Sequence, residues 1–185
     1  MSAISTLYMG TEELPLWTKY QDGEMTLFES NYLVPIFWMS LFTEENFVVW
    51  LDPEGESDDL DDNRVPTLIR IKEKCINSIK ERSEFIKDVF QGSHKYIDDF
   101  ALSLEKSSGT IVSIDMSELF YFVEDQEEFF EDIQNALRFF DNKDKSKMKA
   151  VLRLADIQKY DSEIRDIIPN RDLEYSYHFL GRSQG

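Results

Sequence analysis

A helix-rich α+β fold in one domain, residues 1–185, is what the sequence predicts, and three observations carry that expectation. Pro66 to Phe90 repeats apolar residues at helical spacing: Leu68, Ile71, Cys75, Ile79, Ile86 and Phe90 recur at three- or four-residue steps or their multiples. Thr110 to Asp115 (Thr-Ile-Val-Ser-Ile-Asp) is rich in β-branched residues and bounded by turn formers, the mark of a strand. The 14 Phe, 8 Tyr and 3 Trp can fill a core in a chain of 185 residues, and with 7 Gly and 5 Pro there is little material for long linkers.

The elements follow in order. Ile4 to Met9 reads as a short strand, turning at Gly10 to Glu13. Met25 to Glu29 can pair with it, because Gln21-Asp22-Gly23 is a turn signal. Asn31 to Phe42 holds a short buried helix: Pro35 suits a first turn, and Ile36, Phe37, Met39, Leu41 and Phe42 are too apolar for an exposed one. Phe47 to Leu51 is an apolar run suited to a strand, with a helical continuation left open. Asp52 to Asn63 is an acidic loop containing Pro53, Gly55 and Ser57, long enough to be functional or mobile.

Pro66 then opens the long amphipathic helix near residues 66–90, which Gly92 can close. A second helix is expected from His94 to Lys106, with Ile97, Phe100, Ala101 and Leu104 on one face, broken by Ser107-Ser108-Gly109. After the strand at 110–115, a third covers Gln126 to Phe140, with Phe129, Phe130, Ile133, Ala136, Leu137 and Phe140 inward. Glu127 and Glu128 in its first turn suit the helix dipole. Asn142 to Lys149 is a basic connector, Met148 to Ile157 reads equally as helix or strand, and Asp161 to Ile168 is a short helix stopped by Pro169. Glu174 to Leu180 reads as a terminal strand before Gly181.

Charge is the unusual property. The 37 acidic and 20 basic residues give a formal −17, and position matters more than the total. Residues 52–62 carry seven acids and no base: Asp52, Glu54, Glu56, Asp58, Asp59, Asp61 and Asp62. Residues 115–132 carry eight and no base: Asp115, Glu118, Glu124, Asp125, Glu127, Glu128, Glu131 and Asp132. Such clusters repel nucleic acid and anionic membranes and attract basic partners. Aromatic residues interleave with the second cluster, at Phe120, Tyr121, Phe122, Phe129 and Phe130. Any of these left exposed would anchor a partner inside a charged surround. The expected partner-binding residues are therefore Asp58, Asp59, Asp61, Asp62, Glu124, Asp125, Glu127, Glu128, Glu131 and Asp132. A solvated, solubilising surface is the plain alternative.

No motif points to catalysis. There is no phosphate loop, dinucleotide turn, nucleophile elbow or His-Glu-x-x-His. The two histidines, His94 and His178, are far apart in sequence, and Cys75 lies on an apolar stripe where a buried, inert thiol is expected. Asp58-Asp59-Leu60-Asp61-Asp62-Asn63 invites a calcium reading but lacks the alternating ligands, central Gly and distal Glu of an EF-hand loop. Carboxylate pairs could serve a glycosidase or a metal-dependent nuclease, but among 37 acids such pairs arise by chance. We expect no enzyme activity, no cofactor and no metal. One cysteine excludes an internal disulfide and suits a reducing compartment. The N-terminus has neither the basic nor the long apolar segment of a secretory signal, and the apolar stretch from Tyr32 to Phe42 is far short of the ~20 residues that span a bilayer. The cytoplasm is the expected location.

Ser5-Thr6-Leu7-Tyr8, the stretch Ser30-Asn31-Tyr32-Leu33-Val34-Pro35-Ile36-Phe37-Trp38 and the following Leu41-Phe42 resemble the opening of small acidic bacterial proteins encoded beside secreted toxins, many of which act as immunity proteins. Ser113-Ile114-Asp115-Met116-Ser117-Glu118-Leu119 and Tyr177-His178-Phe179-Leu180-Gly181 are similar in character. The resemblance covers about a third of the chain and brings no catalytic residues with it. It implies an antitoxin of bacterial competition that binds a basic protein, a secreted toxin domain, and occludes its active site or substrate groove. A nucleic-acid mimic of the anti-restriction type is the alternative, and a carboxylate-based or metal-dependent enzyme is a third.

Overall fold

The computed structural model describes residues 3–11, 26–51, 63–156 and 176–183. Its framework is a six-stranded sheet in which every pairing is antiparallel. The strands are β1 (Ile4–Gly10), β2 (Thr26–Asn31), β3 (Phe47–Leu51), β4 (Arg64–Ile71), β5 (Ile111–Asp115) and β6 (Arg182–Ser183). They lie in the order β3-β4-β5-β1-β2-β6. The helices are α1 (Ile36–Met39), α2 (Lys72–Val89), α3 (Ile97–Lys106), α4 (Ser117–Phe122), α5 (Gln126–Asn142), α6 (Met148–Ala155) and α7 (Ser176–Leu180).

Register explains the core. Side chains alternate across a strand, so residues directly opposite share a face. The pairings align Phe47, Leu68, Ile114, Leu7 and Phe28 in one transverse apolar row across five strands. One residue along, Val48, Thr67, Asp115, Thr6, Glu29 and Arg182 form a mostly polar row. Helices pack on the apolar face: Phe100 of α3 lies 5.4 Å from the rings of both Phe28 and Phe37.

α1 is four residues long, entered through Pro35 and wholly buried. Its end leaves carbonyls that water cannot reach, and two arginines take them. Buried Arg82 of α2 donates to Ser40 O at 2.6 Å and Phe42 O at 2.7 Å, and also to the Asp141 carboxylate on α5. Arg70 of β4 donates to Leu41 O at 2.7 Å.

The long amphipathic helix is present, but it begins at Lys72. Residues 64–71, of which 66–71 were expected in that helix, form β4, paired with β3 on one side and β5 on the other. Pro66 is tolerated there because the β5 ladder starts only at Thr67, so Pro66 pairs with Val49 alone. The Lys72 amide at the helix start donates to Thr110 O at 2.8 Å.

The expected terminal strand at 174–180 is also corrected. Residues 176–180 are helical, and the strand is the pair Arg182–Ser183 beyond Gly181. Phe179 is fully buried, 5.3 Å from Phe37, and Trp38 Nε1 donates to Leu180 O at 3.1 Å. Burying one ring in an existing pocket overrides the alternation read from Glu174 to Leu180. His94 sits in a 3₁₀ turn (Gln91–Lys95) ahead of α3 and does not start the helix. Met148 to Ala155 is helical, and α4 has no counterpart among the expected elements. The turn at Gln21-Asp22-Gly23, the loop at 52–62 and the helix at 161–168 lie outside the described residues.

Candidate functional site

The second acidic cluster runs through the end of β5, α4 and the first half of α5. The fold divides its acids into those used inside the chain and those turned outward. The Asp115 carboxylate accepts from Ser117 N at 2.9 Å and Ser117 Oγ at 2.8 Å, fixing the turn into α4. Glu118 accepts from the Ile4 amide at 2.9 Å, tying α4 to β1. Asp125 is the N-cap of α5, accepting from Glu128 N at 2.9 Å, and Glu127 and Glu128 occupy the dipole-positive first turn.

Two of the expected partner-binding residues, Glu128 and Asp132, are engaged inside the chain. Asp132 is 5% exposed and, with Glu128, grips Arg153 of α6. Asp132 falls on the buried face of α5, three residues after Phe129, and the α5–α6 contact closes over it. Burial pushes its carboxyl up to about 6, against the pull of the Arg153 guanidinium. Desolvation works to lower the Arg153 pKa but is outweighed by the two carboxylates, and the net shift is upward. These groups hold α5 to α6.

What remains outward is Glu124, Glu127 and Glu131, all exposed. Glu124 and Glu127 form no ion pair among the described residues, and Glu131 accepts only a long bond, 3.4 Å, from Asn135. Beside them α4 splits its aromatic run. Leu119 and Phe120 are buried, whereas Tyr121 is 45% and Phe122 39% exposed. Phe122 rests against Tyr32, ring centres 5.2 Å apart, and Tyr121 against Phe120 at 5.7 Å. Two supported aromatic rings are thus exposed on α4, next in sequence to carboxylates that no cation pairs with among the described residues. Asp58, Asp59, Asp61 and Asp62 lie outside the described residues.

A chain of edge-to-face rings leads from this surface to the sheet: Phe120 to Phe130 at 5.0 Å, then Phe130 to Phe47 of β3 at 5.8 Å. Past Phe47, β4 continues without β3, leaving a groove of about 450 Å³ whose walls include Asn46, Val48, Ile69, Ile71, Lys74 and Ile111.

Other reactive groups are placed differently. Cys75 is fully buried, and burial pushes its thiol up to about 12, which leaves it neutral and unreactive. His94 is exposed and His178 lies in α7. Among the described residues, no three His, Cys, Asp or Glu side chains are grouped to hold a metal ion, and no helix is long and apolar enough to cross a membrane. Sequence reasoning passed over Arg70, Arg82 and Arg153, cations that organise the interior. Arg82 did carry a signal: it falls on the stripe of Cys75, Ile79 and Ile86, where a charge requires a buried partner. Comparison of the chain with family models, with curated proteins and with solved structures finds no match in any of the three.

Proposed function

We propose that this chain is a non-enzymatic binding protein that captures a basic protein partner through α4 and the start of α5. In our reading it is an immunity protein acting in the cytoplasm, where it occludes the active site or substrate groove of a cognate toxin. One observation supports the proposal: Tyr121 and Phe122 are exposed on α4, and Glu124, Glu127 and Glu131, which follow on the next turn and α5, are exposed and form no ion pair among the described residues. Aromatic anchors within a charged rim are the anatomy of a specific protein interface. The resemblance to immunity proteins supplies the kind of partner.

The mechanism divides labour. The carboxylates steer encounter and can raise association rates by about 10- to 1000-fold at low salt. The rings, once buried, set the dissociation rate. A nucleic-acid mimic would need its acids spread along an extended face, and the inward turn of Glu128 and Asp132 shortens this one. The test is stopped-flow association with the toxin domain encoded by the adjacent reading frame. Replacing Glu124, Glu127 and Glu131 with Gln should slow association and flatten its salt dependence, while Tyr121→Ala with Phe122→Ala should speed dissociation. Full binding and inhibition by both variants would refute the assignment of the surface.

A further inference from the structure

We infer that Asp132, Arg153 and Glu128 form a proton-operated charge gate between α5 and α6: loss of a proton from Asp132 draws the guanidinium toward it and leaves Glu128 as an added outward charge on α5. One guanidinium serves two carboxylates of unequal exposure. Arg153 Nη1 donates to Glu128, whose side chain is 42% exposed, and Nη2 donates to Asp132, whose side chain is 7% exposed. Arg153 Nε is buried and has no hydrogen-bond partner among the described residues. Nε and Nη2 make one edge of the planar fork, which a carboxylate can take with both oxygens at once. Asp132 already holds the Nη2 half of that edge. Protonated, it has one oxygen turned donor and serves a single nitrogen. Ionised, it accepts on both oxygens and can take Nε as well, which satisfies the orphaned donor.

Charge counting gives the consequence. With Asp132 protonated, Arg153 and Glu128 cancel. When the proton passes to water, the three groups together carry −1, and that excess falls on the more exposed carboxylate, Glu128. Burial, against the pull of Arg153, places the change near pH 6. The charges acting on Asp132 are Arg153 of α6 and Glu128 and Glu131 of its own helix. The charged residues of the other elements packed on α5 are engaged elsewhere or exposed. α1 has none, Glu118 of α4 accepts from the Ile4 amide, Glu44 of the turn Glu44–Asn46 pairs with Arg138, and Glu45 is exposed. In the turn Lys145–Lys147, Lys145 pairs with Asp88 and Lys147 acts on Asp144. Lys149 of α6 is exposed. Glu128 shares α5 with the outward Glu127 and Glu131, so affinity for a basic partner should rise with pH through this change. That last step rests on the partner-binding reading, and the gate itself does not.

The experiment has two arms, both on the full chain. In the first, nitrogen-15 NMR follows the Arg153 Nε–H signal from pH 5 to pH 7.5. In the parent it should shift with a midpoint near 6 and exchange more slowly with water above it, and in Asp132→Asn it should stay put. A signal that does not move in the parent, or moves equally in the variant, would overturn the gate. In the second arm, pentalysine is bound at low salt at pH 5.5 and pH 7, above the ordinary carboxylate range. Its affinity should rise about two- to fivefold more in the parent than in Asp132→Asn, the worth of one exposed ion pair. Glu128→Gln should remove that extra rise while keeping the Nε shift. The histidines are common to all three proteins, so only the differences between them count. Pentalysine affinity that changes equally in all three would overturn the link from Asp132 to Glu128. A normal Nε midpoint with no pentalysine binding at either pH would refute the binding surface and uphold the gate.

Discussion

Arg153 holds two carboxylates on the neighbouring helix, and that triad behaves differently from the surface acids a few residues away. Removing the cation leaves Asp132 buried with its charge uncompensated, a situation that costs about 3–5 kcal/mol. Arg153→Met is therefore expected to lower the urea midpoint markedly, whereas Glu127→Gln, at an exposed site, should stay within about 0.5 kcal/mol of the parent. The sign of the pH effect follows from the raised Asp132 value. The folded protein holds this proton up to about 6, and the unfolded chain releases it near 4. Between those limits the native state binds more protons, so this group's contribution to stability falls as pH rises. Asp132→Asn stays neutral throughout. The parent should lose about 2–3 kcal/mol relative to it between pH 4 and pH 6, read from urea midpoints. A rise of the same size in the opposite direction would show that Arg153 dominates over burial.

Element boundaries show where local pattern and tertiary context disagree. β1, β2, β3 and β5 were legible because apolar or β-branched runs were bounded by turn residues, and the inward stripe of α5 was legible from Phe129 to Phe140. Pro66 misled, because a proline followed by Leu68 and Ile71 mimics a helix start, and pairing with two neighbouring strands is not encoded nearby in sequence. α4 was hidden by its six-residue length, too short to display a period. Around α4 and α5 the interleaving of rings and acids was visible, but which acid turned inward depends on α6, through Arg153, and which ring did depends on how α4 packs on β1, β4 and α5. Two expectations belong to elements. Asp125→Ala should cost about 1 kcal/mol by uncapping α5, and Asp125→Asn, an equally good cap, should restore thermal stability. Gly181 joins α7 to β6 at φ +72°, where an added Cβ would come within 2.7 Å of Glu29 O. Gly181→Ala should destabilise by more than about 1 kcal/mol in chemical denaturation.

At the scale of the whole molecule, the formal −17 makes association with any basic partner sensitive to ionic strength, since exposed charges are screened beyond roughly 10 Å at 0.1 M salt. Association rates should fall steeply from low to high salt, and dissociation rates should hardly change. The same charge opposes the close approach of two copies at low salt.

The position of Phe179 has a consequence for how the protein is made. Its ring lies among Phe37, Phe90 and Tyr96, and the short strand after it closes on β2. A nascent chain halted anywhere upstream presents an unfilled hole beside Phe37, so the native state becomes reachable only once translation has passed residue 179. Products that stop short of it would carry that hole permanently and be preferred prey for cellular proteases.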